Sequence, residues 1–292
     1  GRRFESAPRY QVIMKNISMF CLTLNPSHEE IIKNLSYIPV GLGENKFSSN
    51  CFSDKTGENI AHKNPYYGEY TFHYWIWKNY LDKIDTEWVG FCQYRKFFLK
   101  EKIKNTDLSF SKFKSLIIDK IDIKSDEFDC ILGNKFSVEN YKFSKIIKKH
   151  LKEFLRQPKL ILNKKKRSLK FHFDLFHGKG NLDLAIEKLD HKNRIEFKNY
   201  MNENTAFNPH NMFICKKNIL RDYYEIIFPW LEKCEDLFGF DNLNNYGKRR
   251  IYGFLAERFL SFWLTKNYKF KEVNILGKDL TDYKNLKDLR NS

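Results

Sequence analysis

Residues 54–79 read DKTGENIAHKNPYYGEYTFHYWIWKN, and residues 88–98 read WVGFCQYRKFF. Through the first stretch and the residues just after it, Tyr70, Tyr74, Trp77, Leu81 and Ile84 recur at three- and four-residue steps, which predicts an amphipathic helix opening soon after Asn64-Pro65. In the second, Trp88-Val89-Gly90-Phe91-Cys92 predicts a short buried strand, so Gln93-Tyr94-Arg95-Lys96 emerges at its carboxyl end, the usual ligand edge of an open α/β sheet. Ahead of the helix, Gly57 permits a tight turn, and Asn59, Lys63 and Asn64 place donors next to a helix N-terminus, where unpaired N–H groups favour an anion. Arg95 suits bidentate phosphate binding and Lys96 a point charge. Each piece has a plainer reading as well: a polar loop with a helix cap, and a surface basic pair. The spacings of a P-loop and of a dinucleotide glycine fingerprint are absent.

Outward from this stretch, residues 17–23 form an apolar run ending at Leu24-Asn25-Pro26, as a buried strand does before a turn, and residues 27–35 predict a short helix. Residues 37–43 read as a second strand, 128–133 and 212–215 as further strands, and 113–121 as a peripheral helix. Residues 137–205, rich in Lys, Phe and Leu at helical spacing, predict a mostly helical insert that carries His172 and His177. Two helices follow over 219–237 and 251–266. The expected organisation is an N-terminal extension or remnant over 1–16, one α/β domain over 17–276, and a polar, loose tail over 277–292. Because Gly1-Arg2-Arg3 has no initiator Met, the chain is also read as a piece of a longer polypeptide.

With 292 residues, 42% hydrophobic and 16% aromatic, the chain has the apolar bulk to fold. Its net charge of +16 is spread along the sequence, with one dense block at Lys164-Lys165-Lys166-Arg167. That distribution points away from nucleic acid and toward nucleoside diphosphates, anionic glycans or an anionic membrane surface. The six cysteines show no metal-ligand spacing and several sit in apolar runs, so they read as buried hydrophobes in a reduced, cytoplasmic compartment.

Two later fragments complete the candidate chemistry. Asn208-Pro209-His210-Asn211 precedes a strand; a turn accounts for Asn and Pro, and substrate contact is the reading for His210 and Asn211. Glu257-Arg258 lies on an otherwise apolar helix, either as a structural ion pair or as a general base tuned by its neighbour.

The loop DKTGENIAHKN, GEYTFHYWIWKN, QYRKFF, the HNMFI block at 210–214 and GFLAERFL at 253–260 together resemble, in order, the bacterial domain-of-unknown-function family 4422 of capsular and lipooligosaccharide gene clusters. The resemblance spans about residues 17–273. Gln93 stands where the family pattern has His, Lys96 where it has a second Arg, and Tyr70 where it has Leu. The resemblance implies a GT-A-like nucleotide-sugar-binding sandwich and a glycosyltransferase using a nucleotide diphosphate sugar, of uridine for preference. The acceptor it implies is a hydroxyl of a growing surface glycan or lipid-linked glycan, at the inner face of the cytoplasmic membrane.

On that reading Thr23 and Asn25 border the nucleotide, while Asn59, Lys63, Asn64, Gln93, Tyr94, Arg95 and Lys96 meet diphosphate or donor sugar. His177, His210, Asn211 and Arg258 line the acceptor side, and Glu257 is the base, with Asp241 next in line. A divalent metal (Mn or Mg) stays open as a cofactor, but the chain has no Asp-x-Asp; Asp85-Thr86-Glu87 and Glu127-Phe128-Asp129 lie at strand starts, the wrong edge for a ligand. Cationic side chains at QYRK replace the metal on this reading. The competing readings are a non-catalytic glycan- or nucleotide-binding module and a phosphate-transferring enzyme.

Overall fold

In a computed structural model of the protein, the structure describes residues 16–104, 107–121, 127–139, 163, 167–241 and 243–283. The extension up to residue 15, most of the lysine block, residues 140–162 of the expected insert and the tail from 284 lie outside the described residues.

The strands are β1 (Ile17–Thr23), β2 (Ile38–Gly41), β3 (Phe52–Ser53), β4 (Trp88–Gln93), β5 (Lys96–Phe98), β6 (Cys130–Gly133), β7 (Phe136–Ser137), β8 (Ala206–Phe207), β9 (Phe213–Lys216), β10 (Phe270–Val273) and β11 (Ile275–Gly277). The helices are α1 (Glu29–Asn34), α2 (Asn64–Tyr67), α3 (Tyr70–Trp75), α4 (Phe110–Leu116), α5 (Leu169–His177), α6 (Asn181–Ile186), α7 (His191–Glu203), α8 (Lys217–Phe238), α9 (Tyr246–Arg249) and α10 (Ile251–Asn267). The main sheet runs β10-β6-β9-β4-β1-β2-β3, with β5 and β11 attached beyond β4. β1 pairs in parallel with β2 on one side and β4 on the other. The chain therefore winds outward from β1 to β3 and returns to the opposite flank, leaving a topological switch point, and a crevice, between the carboxyl ends of β1 and β4.

Both faces of the sheet are covered, and the strands alternate accordingly. Phe20, Leu22, Val89, Phe91, Phe213 and Cys215 pack into one core with α3, α8 and α10. Ile17, Met19, Cys21, Trp88, Cys92 and Ile214 pack into the other with α1 and α4. The six cysteines are free and buried, five of them in these two cores, and burial pushes the Cys130 thiol up to about 12. β9 runs antiparallel to both β4 and β6. Residues just before β9 therefore sit at the same sheet edge as residues just after β4.

The predicted elements are present, the peripheral helix earlier than expected at Phe110–Leu116 with Ile117 bridging to Leu99, and two differences are informative. The aromatic helix is not one regular α-helix: α3 passes into a π-helical turn over Ile76–Tyr80 and a 3-10 turn over Leu81–Lys83. Asn79 in the π turn accepts from the Glu58 N–H at 3.1 Å and donates to the Glu58 carbonyl at 2.8 Å. Gly57, at φ 58°, lies where an added Cβ would be 2.2 Å from the Asn79 amide oxygen, so glycine there allows the loop to dock on the helix.

The second difference is the tail. Up to residue 283 it is not loose: Leu280 and Tyr283 are buried, and the Lys278 and Leu280 N–H groups donate to the carbonyls of Arg95 and Tyr94, each at 3.1 Å. Two apolar residues in a polar segment suffice to anchor it. The described part of the expected insert is helical (α5, α6, α7), and the short β7-β8 pair brackets residues 138–205 at their base. No described helix is long and apolar enough to cross a membrane.

Candidate active site

At the switch point the chain forms two adjoining cavities. One, of about 80 Å³, lies over the ends of β1 and β4 and is lined by Thr23, Leu42, Asn64 and Tyr94 among others. The second, of about 120 Å³, lies between the end of β4 and the start of α10, lined by Lys96, His210, Asn211, Tyr246, Phe254 and Glu257 among others. Glu69, Gln93, Arg95 and Arg250 border both. These four mark the junction.

Tyr94 and Arg95 form the turn between β4 and β5, with Gln93 and Lys96 paired across it. The turn is held from below: Tyr94 lies 5.1 Å from the buried His28 ring, whose Nδ1 shares a hydrogen bond with the Thr23 hydroxyl at 2.9 Å and whose Nε2 meets Thr281 Oγ1 at 3.1 Å. Arg95 is exposed beside the Tyr94 ring, and among the described residues neither it nor Arg250 makes an ion pair. Gly68, at φ 60°, sits where a Cβ would be 2.3 Å from a guanidinium nitrogen of Arg250. Only glycine tolerates both that backbone conformation and that approach.

On the far wall, His210 (φ 86°) and Asn211 (φ 53°) are both left-handed, a conformation that costs non-glycine residues about 1–2 kcal/mol each. The surroundings compensate. The His210 N–H donates to Glu257 Oε1 at 2.6 Å, its carbonyl accepts from Gln93 Nε2 at 3.1 Å, and Asn208 is fixed by Ser261 and by the Gly133 carbonyl. Glu257 Oε2 pairs with Arg258, which is buried and has its guanidinium carbon 3.8 Å from the centre of the Phe207 ring. Arg258 thus braces the wall from behind.

Lys96 Nζ lies 2.8 Å from His210 Nδ1. Because an ammonium can only donate, Nδ1 is the acceptor and the ring proton sits on Nε2. Burial, then the charge of Lys96, pushes His210 down to about 4, while burial and Arg95 lower Lys96, partly opposed by Glu257 and Glu69. His210 is therefore neutral at neutral pH.

Of the residues singled out in the sequence, Thr23, Asn64, Gln93, Tyr94, Arg95, Lys96, His210, Asn211 and Glu257 line the cleft. The structure does not bring the others to it. Lys63 reaches the other way, holding both Glu235 oxygens at 2.7 Å, with Tyr67 donating to the same carboxylate at 2.5 Å. Asn59 staples its own loop through the Lys55 and Gly57 carbonyls, and Asn25 caps the turn after β1 by accepting from the Ser27 N–H. Asp241 is exposed on a loop outside both linings. His177 is buried behind Phe254, 4.1 Å between rings, and donates from Nδ1 to the Gly247 carbonyl at 3.0 Å. Glu69, Arg250, Tyr246 and Phe254 escaped the sequence reading. The signals were there: Glu69 opens the aromatic helix behind a glycine, and Arg250 ends a Lys-Arg-Arg run directly ahead of α10.

Two expected results follow from these placements. Lys63→Ala should leave any donor turnover unchanged while lowering stability by about 1–2 kcal/mol, since it strips a half-buried carboxylate of its cation; parallel turnover and melting measurements check this. Burial pushes His73 and His177 down to about 3, below the ordinary 6.5. The unfolded chain then binds more protons than the folded one between about pH 6.5 and 3, so stability is full above that window and falls as pH drops through it. Each contributes a slope of about 1.4 kcal/mol per pH unit. A urea midpoint unchanged between pH 7 and 5 would contradict it.

Among the described residues no group of three or more His, Cys, Asp or Glu side chains is placed to hold a metal ion. The cleft carboxylates are two, and they share their space with Lys96, Arg95 and Arg250, a donor set poorly suited to a divalent cation. Asp129 lies at the opposite sheet edge, where it accepts from Lys216 at 3.0 Å.

The family model described as "Domain of unknown function (DUF4422)" matches residues 23–268. The chain belongs to this family. The DUF4422 match covers β1's end through α10 and stops short of β10, β11 and the segment that clamps Tyr94 and Arg95. No curated protein matches the chain. Among solved structures, the apo structure of the bifunctional glycosyltransferase WbbM is similar at 23% identity and a TM-score of 0.68, over 89% of this chain. The chain spans 45% of that protein's length. With this likeness and the observed strand order, the DUF4422 domain here has a GT-A-like fold.

Proposed function

We propose that the protein is a glycosyltransferase that moves a sugar from a nucleoside diphosphate donor, a uridine one as first candidate, to a hydroxyl of a growing bacterial surface glycan. The observation that supports this most is the junction: Arg95 and Arg250, from segments far apart in sequence, border both cavities with no carboxylate in ion-pair reach among the described residues. A diphosphate seated there extends its nucleoside over Thr23, Asn64 and Tyr94 and its sugar toward Lys96, His210 and Asn211. The two guanidiniums stabilise the charge that develops on the departing phosphate oxygen, the task a metal performs in many transferases. Tyr246, 68% exposed at the rim beside Phe254, offers an aromatic face to an acceptor sugar. Glu257, with both oxygens engaged, supports the wall that carries His210 and Asn211. We propose no metal step.

The test is to incubate the protein with a panel of nucleotide sugars and follow nucleoside diphosphate release, with and without a chelator. Selective release, unchanged by the chelator, is expected. A module that only binds glycan or nucleotide releases none, and a phosphate-transferring enzyme consumes sugar donors without selectivity; either result would displace the proposal.

A further inference from the structure

The cleft holds two carboxylates, and their surroundings differ in kind. Glu257 is spent: Oε1 takes the His210 N–H and Oε2 the Arg258 guanidinium, so its charge is matched and both its oxygens are occupied. Glu69 is not. Its Oε1 accepts from Gln93 Nε2 at 2.7 Å, while Oε2 has no hydrogen-bond partner among the described residues. Gln93 is itself fixed by the His210 carbonyl, so it orients Glu69 and, being a neutral amide, leaves the carboxylate its charge. Glu69 is half-buried directly ahead of α3 and borders both cavities beside Arg95 and Arg250. Its place in the lining of the larger cavity puts it alongside the donor sugar of the proposed function.

We infer that Glu69 is the catalytic base of the transfer, with Gln93 as its positioning residue. This rests on the glycosyltransferase reading above. The acceptor O–H gives its proton to Glu69 Oε2 as the acceptor oxygen forms a bond to the anomeric carbon of the donor sugar. The bond from that carbon to the phosphate oxygen breaks, and its electron pair leaves on the nucleoside diphosphate against Arg95 and Arg250. A single displacement of this kind inverts the anomeric carbon. The product's configuration is thus part of the inference.

The experiment compares wild type, Glu69→Gln and Glu69→Ala. It measures uridine diphosphate binding by calorimetry, turnover of the preferred donor across pH, and product configuration by NMR. Glu69→Gln should bind uridine diphosphate within about threefold of wild type and lose about 10²–10⁴ in kcat, the usual range for a removed acid–base group, with the acidic limb of the pH profile gone. Azide, a nucleophile that needs no deprotonation, should restore donor consumption in Glu69→Ala and give a glycosyl azide. Near-normal kcat in Glu69→Gln, or a wild-type product that keeps the donor's configuration, overturns the assignment of the base and leaves the glycosyltransferase reading intact. Wild-type protein that neither binds uridine diphosphate nor consumes any sugar donor overturns both. Configuration is read on wild type, so the test survives a variant that folds poorly.

Discussion

Arg250→Ala is expected to lower donor turnover by about 10²–10³, the cost of removing one preorganised charge from a developing anion, or about 2.7–4 kcal/mol of barrier. The same loss is expected from Gly68→Ala, although that change adds only a methyl group. At φ 60°, and 2.3 Å from a guanidinium nitrogen, the new Cβ forces either the backbone or Arg250 to move. The pair of variants separates a charge that acts from one that merely lies nearby. Gly68→Ala keeps every charge and shifts one, so matching losses in kcat with modest change in stability attribute the effect to placement. Turnover within tenfold of wild type for Arg250→Ala would remove the diphosphate from the junction.

The second large effect concerns stability. Glu257→Ala leaves Arg258, 2% exposed, without its counter-ion, and a buried charge stripped of its partner costs about 3–5 kcal/mol. It also removes the acceptor for the His210 N–H, releasing a left-handed residue that nothing else holds as closely. Replacing both members, as Glu257→Gln with Arg258→Met, should recover most of the loss, because no lone charge then remains in the core. Urea denaturation of the three proteins measures this; equal stability of wild type and Glu257→Ala would show that solvent reaches Arg258 and that the wall is not braced as described.

The cores and the ligand edge were legible because they depend on local pattern. Strands buried on both faces read as apolar runs, and Gln93-Tyr94-Arg95-Lys96 after such a run falls at a sheet edge whatever the neighbouring strands do. What sequence could not supply was partnership. Lys63 and Arg250 are both cationic, and only the fold reveals that α8 supplies Glu235 to the first and none of the described carboxylates to the second. Gly57 reads as the residue that permits a tight turn, and at φ 58° it does turn the chain; its second task, clearance for Asn79, depends on a partner the local sequence does not show. His210 and Asn211 were placed beside a strand correctly, but their side of the sheet followed from β9 running antiparallel, a property that hydrophobic pattern does not encode. Leu280 and Tyr283 are two apolar residues without periodicity, too few to signal an anchor.

That anchor bears on how the protein is best handled in the laboratory. The stretch matched by the family ends at residue 268, yet the β4–β5 hairpin borrows two backbone donors from residues 278 and 280. An expression boundary drawn at the edge of the family match would sever those supports and leave Arg95 on an untethered tip. The matched stretch and the packed unit are of different lengths, and a cut intended to isolate the domain should fall beyond Tyr283.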